Sequence, residues 1–345
     1  MRHSKRIWIA IVMTVVAVVS GCSDSNESID ATAGASSTIG ATPATPMPSS
    51  STTSPGFSAL STTGGLPPST LVSTASPAIA IRDGRIVEYR VWDGAEGKVL
   101  YSDRKPISLS VRRVNGRPEV YAAVENPTDV CDTLILRVDD DGASSTGILG
   151  VRPTISPNGR VLAYVAGCDR SIVAVRDLAT ATERRWTIDK GLGVGTLVWA
   201  PDNRELYFQL RGETSFGDVN VLDTTTAPIG SLADAAKSVS VQLNSGEWLH
   251  APQPANEGVF LQIYCCKTAG QEPSIIDPRD FGLVTPGGFR RIESPVRATD
   301  EVIAVDSNAQ TIIAFDLINS ALIRVSIDGT TRAIIGSARE NVFFY

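Results

Sequence analysis

Two stretches of this chain repeat one another at a fixed distance, and that spacing constrains the fold more than any other feature. Ile155-Ser156-Pro157-Asn158-Gly159-Arg160-Val161-Leu162-Ala163-Tyr164 is answered 44 residues later by Trp199-Ala200-Pro201-Asp202-Asn203-Arg204-Glu205-Leu206-Tyr207-Phe208. In each, a Pro and Asn/Asp/Gly turn leads into a strand whose apolar residues face both sides. A second pattern is a strand, an Asp-Gly turn and another strand. It occurs as LILRVDDDGASSTGIL around Asp141-Gly142 and as LIRVSIDGTTRAII around Asp328-Gly329, 187 residues apart and close to four of the same periods. A repeat of roughly 40–45 residues made of short strands is the length of one propeller blade. The segment 78–345 then holds about six of them.

Other β-rich runs fill the intervals: RIVEYRVW, SIVAVRD, ELYFQL, DVNVLD, GVFLQIY and TIIAFDL. No long stretch carries helical periodicity, so the class is all-β. The two motifs resemble the TolB-like and WD40-like β-propeller repeats, in which Ser-Pro-Asp-Gly-x-x-Leu-Ala-Tyr joins the first two strands of a blade and an Asp-Gly turn joins the outer two. The resemblance implies a six-bladed β-propeller, with blades near 79–105, 106–149, 150–190, 191–234, 235–295 and 296–336. The final NVFFY is expected to pair into the first blade and close the ring, which removes open strand edges.

The N-terminus is of a different character. Arg2, His3, Lys5 and Arg6 precede an apolar run from Ile7 to Val19, which is followed by Ser20-Gly21-Cys22. A basic region, a short apolar core and small residues form a secretory signal, and the core is shorter than the ~20 residues a bilayer span needs. Val19-Ser20-Gly21-Cys22 resembles the lipobox of bacterial lipoproteins. That resemblance implies cleavage after residue 21 and a diacylglyceryl group on Cys22, with the protein held by lipid on the extracytoplasmic face of the cell membrane. Residues 22–77 are rich in Ser, Thr, Ala, Pro and Gly and offer almost nothing to bury, so they are expected to be a disordered tether. The domains are therefore 1–21 signal peptide, 22–77 lipidated Cys and linker, and 78–345 propeller.

Removing residues 1–21 takes away Arg2, Lys5 and Arg6 and no acid, so the formal charge of −6 becomes −9. An acidic chain does not suit nucleic acid, whose phosphates demand Lys and Arg. Outside the cytoplasm disulfides persist. Cys131, Cys168 and the adjacent Cys265-Cys266 each fall between the second and third strands of a blade, which places them on one face of the disc. A Cys131–Cys168 bridge between neighbouring blades is expected, with Cys265–Cys266 as a second possible pair.

Motifs for chemistry are sparse. His250 is the sole histidine after processing, so a His-rich metal site cannot be built from one chain. There is no Gly-x-Ser-x-Gly elbow, no Walker A sequence and no convincing dinucleotide fingerprint, and no cofactor or metal is expected. Asp139-Asp140-Asp141-Gly142 lacks the alternating ligands and distal Glu of a calcium loop and reads as a turn. The longest insertion, Trp248–Gly258 with Thr268–Gly288, is the expected recognition region, with Trp248, His250 and Phe281 as candidate contacts. The reading is a scaffold that binds a protein or glycan partner in the cell envelope. The alternative is a carbohydrate-active hydrolase or lyase, which needs two facing carboxylates in a pocket, one with a raised pKa.

Overall fold

The computed structural model describes residues 78–91, 94–127, 133–212, 216–264, 278–297, 300–306, 311–337 and 341–344. All belong to one compact unit, Pro68–Tyr345. The signal peptide, Cys22, the linker, Cys131, Cys265 and Cys266 lie outside the described residues.

The strands form six sheets in chain order, antiparallel but for one short parallel pairing. Blade 1 contains β1 (Ala78–Arg82), β2 (Arg85–Tyr89) and β3 (Glu96–Tyr101). Blade 2 contains β4 (Pro106–Val114), β5 (Arg117–Glu125), β6 (Thr133–Asp139) and β7 (Gly142–Leu149). Blade 3 contains β8 (Val151–Ile155), β9 (Val161–Ala166), β10 (Ile172–Asp177) and β11 (Glu183–Thr187). Blade 4 begins with β12 (Gly193–Trp199), β13 (Glu205–Arg211) and β14 (Phe216–Asp223). The chain then makes β15 (Gly230–Ser231), the single turn α1 (Leu232–Ala235) and β16 (Lys237–Ser238). Blade 5 contains β17 (Trp248–Ala255), β18 (Gly258–Tyr264), β19 (Pro278–Thr285) and β20 (Gly288–Glu293). Blade 6 contains β21 (Asp300–Val305), β22 (Thr311–Asp316), β23 (Ala321–Ser326) and β24 (Arg332–Gly336). The last strand is β25 (Asn341–Phe344).

Ring closure follows the expectation. β25 pairs antiparallel with β1, from Ala78↔Phe344 to Ile81↔Asn341, and becomes the inner strand of blade 1. Its side chains alternate as a strand's must. Val342 and Phe344 pack towards blade 6, and Phe343 packs towards blade 2. The first blade is thus held together by both ends of the domain.

Six apolar clusters fill the six seams between blades. The second strands have neighbours on both faces and so read as continuous apolar runs. In β9, Leu162, Tyr164 and Ala166 face blade 2, whereas Ala163 and Val165 face blade 4. Among the side chains of the seam between blades 3 and 4 that have no exposed surface, Trp186 and Phe208 are the largest, and such burial is worth roughly 1.5–3 kcal/mol for a side chain the size of Phe.

The repeated motifs are the turns they were read as. Gly159 Nα donates to Ser156 O at 2.8 Å, and Asn203 Nα donates to Ala200 O at 3.1 Å. Asn158 Nα also donates to Asn203 Oδ1 at 2.7 Å, so equivalent turns of adjacent blades are bonded to each other. Gly159 is required twice over. Its φ is +73°, which favours glycine, and a Cβ there would collide with the Arg112 guanidinium. That guanidinium is paired with buried Glu119. Asp139, Asp140 and Asp141 form the turn between the outer strands of blade 2. Asp140 is paired with Lys98 at 3.1 Å and Arg117 at 2.8 Å.

One boundary differs from the sequence reading. Blade 4 does not end at 234, because its outer strand is β16, which pairs with β14. The segment before it crosses to the previous blade, where β15 runs parallel to β11. The cause is a set of side chains reaching from the edge of blade 3. Arg184 donates to Thr224 O and Ala227 O and lies 5.1 Å from the Trp186 ring. Trp186 Nε1 donates to Pro228 O at 2.8 Å. The crossing segment covers an edge that would otherwise stand open.

Candidate functional site

The six inner strands, β25, β4, β8, β12, β17 and β21, surround an axial cavity of about 460 Å³, within the range of small-ligand sites. An inner strand has a partner on one side only, so its other edge presents backbone groups to the channel. These groups need partners, and side chains from the next blade supply them. Ser108 Oγ accepts from Arg152 Nα at 2.9 Å, and Ser110 Oγ accepts from Ile155 Nα at 3.1 Å. Trp199 Nε1 donates to Thr154 O at 2.9 Å, and Gln253 Oε1 accepts from Val305 Nα at 2.8 Å. Polar residues in the channel therefore have a structural task first.

In blades 2 to 6 the register between the inner and second strands shifts by a bulge. Bulges bend a strand and re-aim its side chains. Two of them hold a residue other than glycine in the left-handed region, Arg152 at φ +54° and Ala251 at φ +43°, conformations that cost energy and gather at functional sites.

Two arginines meet at the end of the cavity where the inner strands begin. Arg152 Nη1 donates to Val194 O and Gly195 O of blade 4. Arg211, from the end of β13, reaches over the same glycine, and a Cβ on Gly195 would lie 2.8 Å from Arg211 Nε. The missing side chain is what lets a second-strand arginine lie against the cavity, which both arginines line. Burial pushes the Arg152 pKa down, and the charges of Arg211 and Arg170 push it further. Burial also lowers that of Arg211. Among the described residues lining the cavity there is no Asp or Glu.

The candidate contacts read from the sequence fall partly here. Trp248 and His250 are not in a loop but on β17, and both are buried. With Tyr264 they form an aromatic cluster. Trp248 stacks on Tyr264 at 5.0 Å between centroids, and His250 meets the Tyr264 ring edge-on at 5.1 Å. Trp248 Nε1 is buried with no hydrogen-bond partner among the described residues. Burial, then the charge of Arg211, pushes the His250 pKa down to about 4, so its imidazole is neutral beside the arginines. Phe281 is placed elsewhere, away from these two. It lies on β19 with no exposed surface, packed 5.1 Å from Phe260 in the seam between blades 5 and 6, and it faces no ligand-accessible surface. Of the expected insertion, Trp248–Gly258 is β17, the Asn256-Glu257 turn and the start of β18, and Pro278–Thr285 is β19, whereas residues 268–277 lie outside the described residues.

Cys168 is disulfide-bonded, and its partner lies outside the described residues. No cluster of three or more metal-ligating side chains occurs among the described residues. Among the described residues, carboxylates with a shifted pKa are all shifted down, as at Asp223 by Arg204, Glu247 by Arg291 and Asp316 by Asn319. The raised carboxylate needed for glycoside chemistry is not found among the described residues.

The sheets, the closing strand and the axial cavity define the class: an all-β, six-bladed propeller. Among solved structures it is similar to TolB from Acinetobacter baumannii, with a TM-score of 0.51 and 14% identity over 77% of this chain and 65% of that one. It is also similar to Kuenenia stuttgartiensis hydrazine synthase, with a TM-score of 0.44 and 13% identity over 71% of each chain. A chain of the nidogen/laminin complex gives 0.45 and 11% identity over 78% of this chain and 97% of that one. At 14% identity the likeness to TolB shows a shared fold and nothing finer. This chain spans 65% of the length of that TolB. No family model matches the sequence, and no curated protein matches it.

Proposed function

We propose that the protein is a lipid-anchored binding scaffold on the extracytoplasmic face of the cell membrane, and that the axial cavity is where its ligand or partner enters. One observation carries the binding reading: a closed ring surrounds about 460 Å³ lined by apolar groups, neutral polar side chains and arginines, with no carboxylate among the described lining residues. Pockets of this size with a few convergent polar groups are the usual form of a binding site. The anchor rests on the signal and lipobox ending at Cys22. Export is supported by the disulfide-bonded state of Cys168, since such bonds persist in oxidising compartments. Cys131, in the equivalent connection of the neighbouring blade, is the proposed partner of Cys168.

The test uses the full chain in intact cells. Cys22→Ser should move the protein from the membrane fraction to the soluble one. A photo-crosslinking residue at Thr196, in the cavity lining, should capture an adduct that the same residue at Ile334 does not. Ile334 is exposed on the outer strand of blade 6. Equal labelling at the two positions, or none at either, refutes the cavity as the binding site. An unchanged membrane fraction for Cys22→Ser refutes the anchor.

A further inference from the structure

We infer that the Arg152 end of the channel is a site for the oxyanion head of a small amphiphilic molecule whose apolar body lies along the axis. The inference rests on the binding-scaffold reading and names the ligand class for its cavity.

The geometry comes first. Arg152 sits on a bulge in the left-handed region, which turns it out of the strand's regular alternation. One of its terminal nitrogens is used by Val194 O and Gly195 O. A guanidinium carries five N–H donors in a rigid fork suited to carboxylate and phosphate, so donors remain for a ligand. Arg211 lies across Gly195 from it, and Arg170 stands at the exposed connection after β9 of the same blade. A partly buried guanidinium with no carboxylate beside it is unfavourable unless an anion joins it. Arg152 forms no ion pair with a carboxylate of the described residues.

The rest of the cavity specifies the other end of the ligand. Val111, Pro252, Ile303 and Phe344 line it from four different blades. These four side chains suit a hydrocarbon body, and Ser108, Ser110 and Gln253 beside them are already bonded to backbone groups of the inner strands. The imidazole of His250 is buried within reach of the Arg211 charge and packs edge-on against the Trp248 ring, and such burial strengthens a charge-assisted bond.

The test is calorimetric titration of the full chain carrying Cys22→Ser, which avoids detergent. The probes are octanoate, octyl phosphate and the neutral octanamide, with acetate as the head alone. Octanoate or octyl phosphate should bind at least roughly tenfold more tightly than octanamide, the fold-change of one charge-assisted hydrogen bond. Acetate should bind far more weakly than octanoate. The tighter of the two anions names the head. Arg152→Gln should abolish the preference for the anion while leaving octanamide affinity unchanged. Because Arg152 also holds blade 4, Arg211→Met provides a second variant, expected to cut the preference without touching the bonds from Arg152. Equal binding of octanoate and octanamide, or a preference that survives both variants, overturns the inference. A Thr196 crosslink to a protein with no anion binding overturns it while leaving the scaffold reading intact. Failure of both assays removes the scaffold reading as well.

Discussion

Removing Asn341–Tyr345 should cost the domain a large share of its stability, because this strand is the inner edge of blade 1. Val342 is 2% exposed, and losing a buried side chain of that size costs about 2 kcal/mol. Phe343 and Phe344 are half-buried in two different seams and add about 1 kcal/mol each. Four register pairs with β1 are also lost, at a net ~0.5–1.5 kcal/mol for each ladder hydrogen bond. The total is on the order of 6–10 kcal/mol, set against the ~5–15 kcal/mol that stabilises a typical folded protein. For a domain of this size each kcal/mol moves Tm by roughly 2–4 °C, so the full chain ending at Glu340 should melt on the order of 15–20 °C lower in scanning calorimetry. Val342→Ala should reproduce a small part of that loss. If the truncated chain melts within about 3 °C of the intact one, a shift typical of a ~1 kcal/mol change, then β25 does not close the ring.

Phe281→Ala should destabilise the full chain by about 3–5 kcal/mol in urea titration, as an emptied aromatic core site does; a loss under ~0.5 kcal/mol, typical of exposed positions, would return Phe281 to the surface. Acid should weaken the protein through His250. Its folded pKa of about 4 lies below the usual 6.5, so the unfolded chain binds the extra proton in that window. The stability is complete above pH 6.5 and is lost as pH falls towards 4, by about 2–3 kcal/mol at pH 4.5. His250→Phe should flatten that part of the urea midpoint profile; an identical profile in the variant refutes the assignment.

What the sequence made legible was whatever recurs. The Pro157 and Pro201 turns and the two Asp-Gly turns are local chemistry repeated at one period, and the structure places them at equivalent corners of different blades. The Asn341–Phe344 strand was legible because a ring with an unpaired edge is unstable. The outer strand of blade 4 was not. Its position depends on Arg184 and Trp186 drawing a later segment back across the seam, and nothing in Gly230–Ser238 itself announces that. The candidate site was missed for a related reason. Arg152 and Arg211 stand 59 residues apart in chain order, and only the bulge at one and the bare backbone of Gly195 between them bring both to the cavity. Insertion length pointed instead to Trp248, His250 and Phe281. The first two lie beside the arginines as buried support, and the third belongs to a seam. A cation in an inner strand, as in Val151-Arg152-Pro153-Thr154-Ile155, was the available signal.

The inner edges also show which channel residues the fold needs and which it does not. Where a backbone group on an inner strand requires a partner, a neutral side chain from the next blade suffices: Ser108, Ser110, Gln253 and the indole of Trp199 all serve. Val194 O and Gly195 O could have been met in the same way. The chain uses a guanidinium instead, in a strained backbone conformation, close to a second guanidinium and away from any carboxylate of the described lining. In a chain whose formal net charge is negative, carboxylates to neutralise it were plentiful elsewhere, as Asp140 and Glu247 show with their own arginines. Capping the edge does not account for the charge, because capping needs a donor and not a cation. The charge is accounted for by an anion that comes and goes, and a permanent Asp or Glu in the cavity would have excluded it.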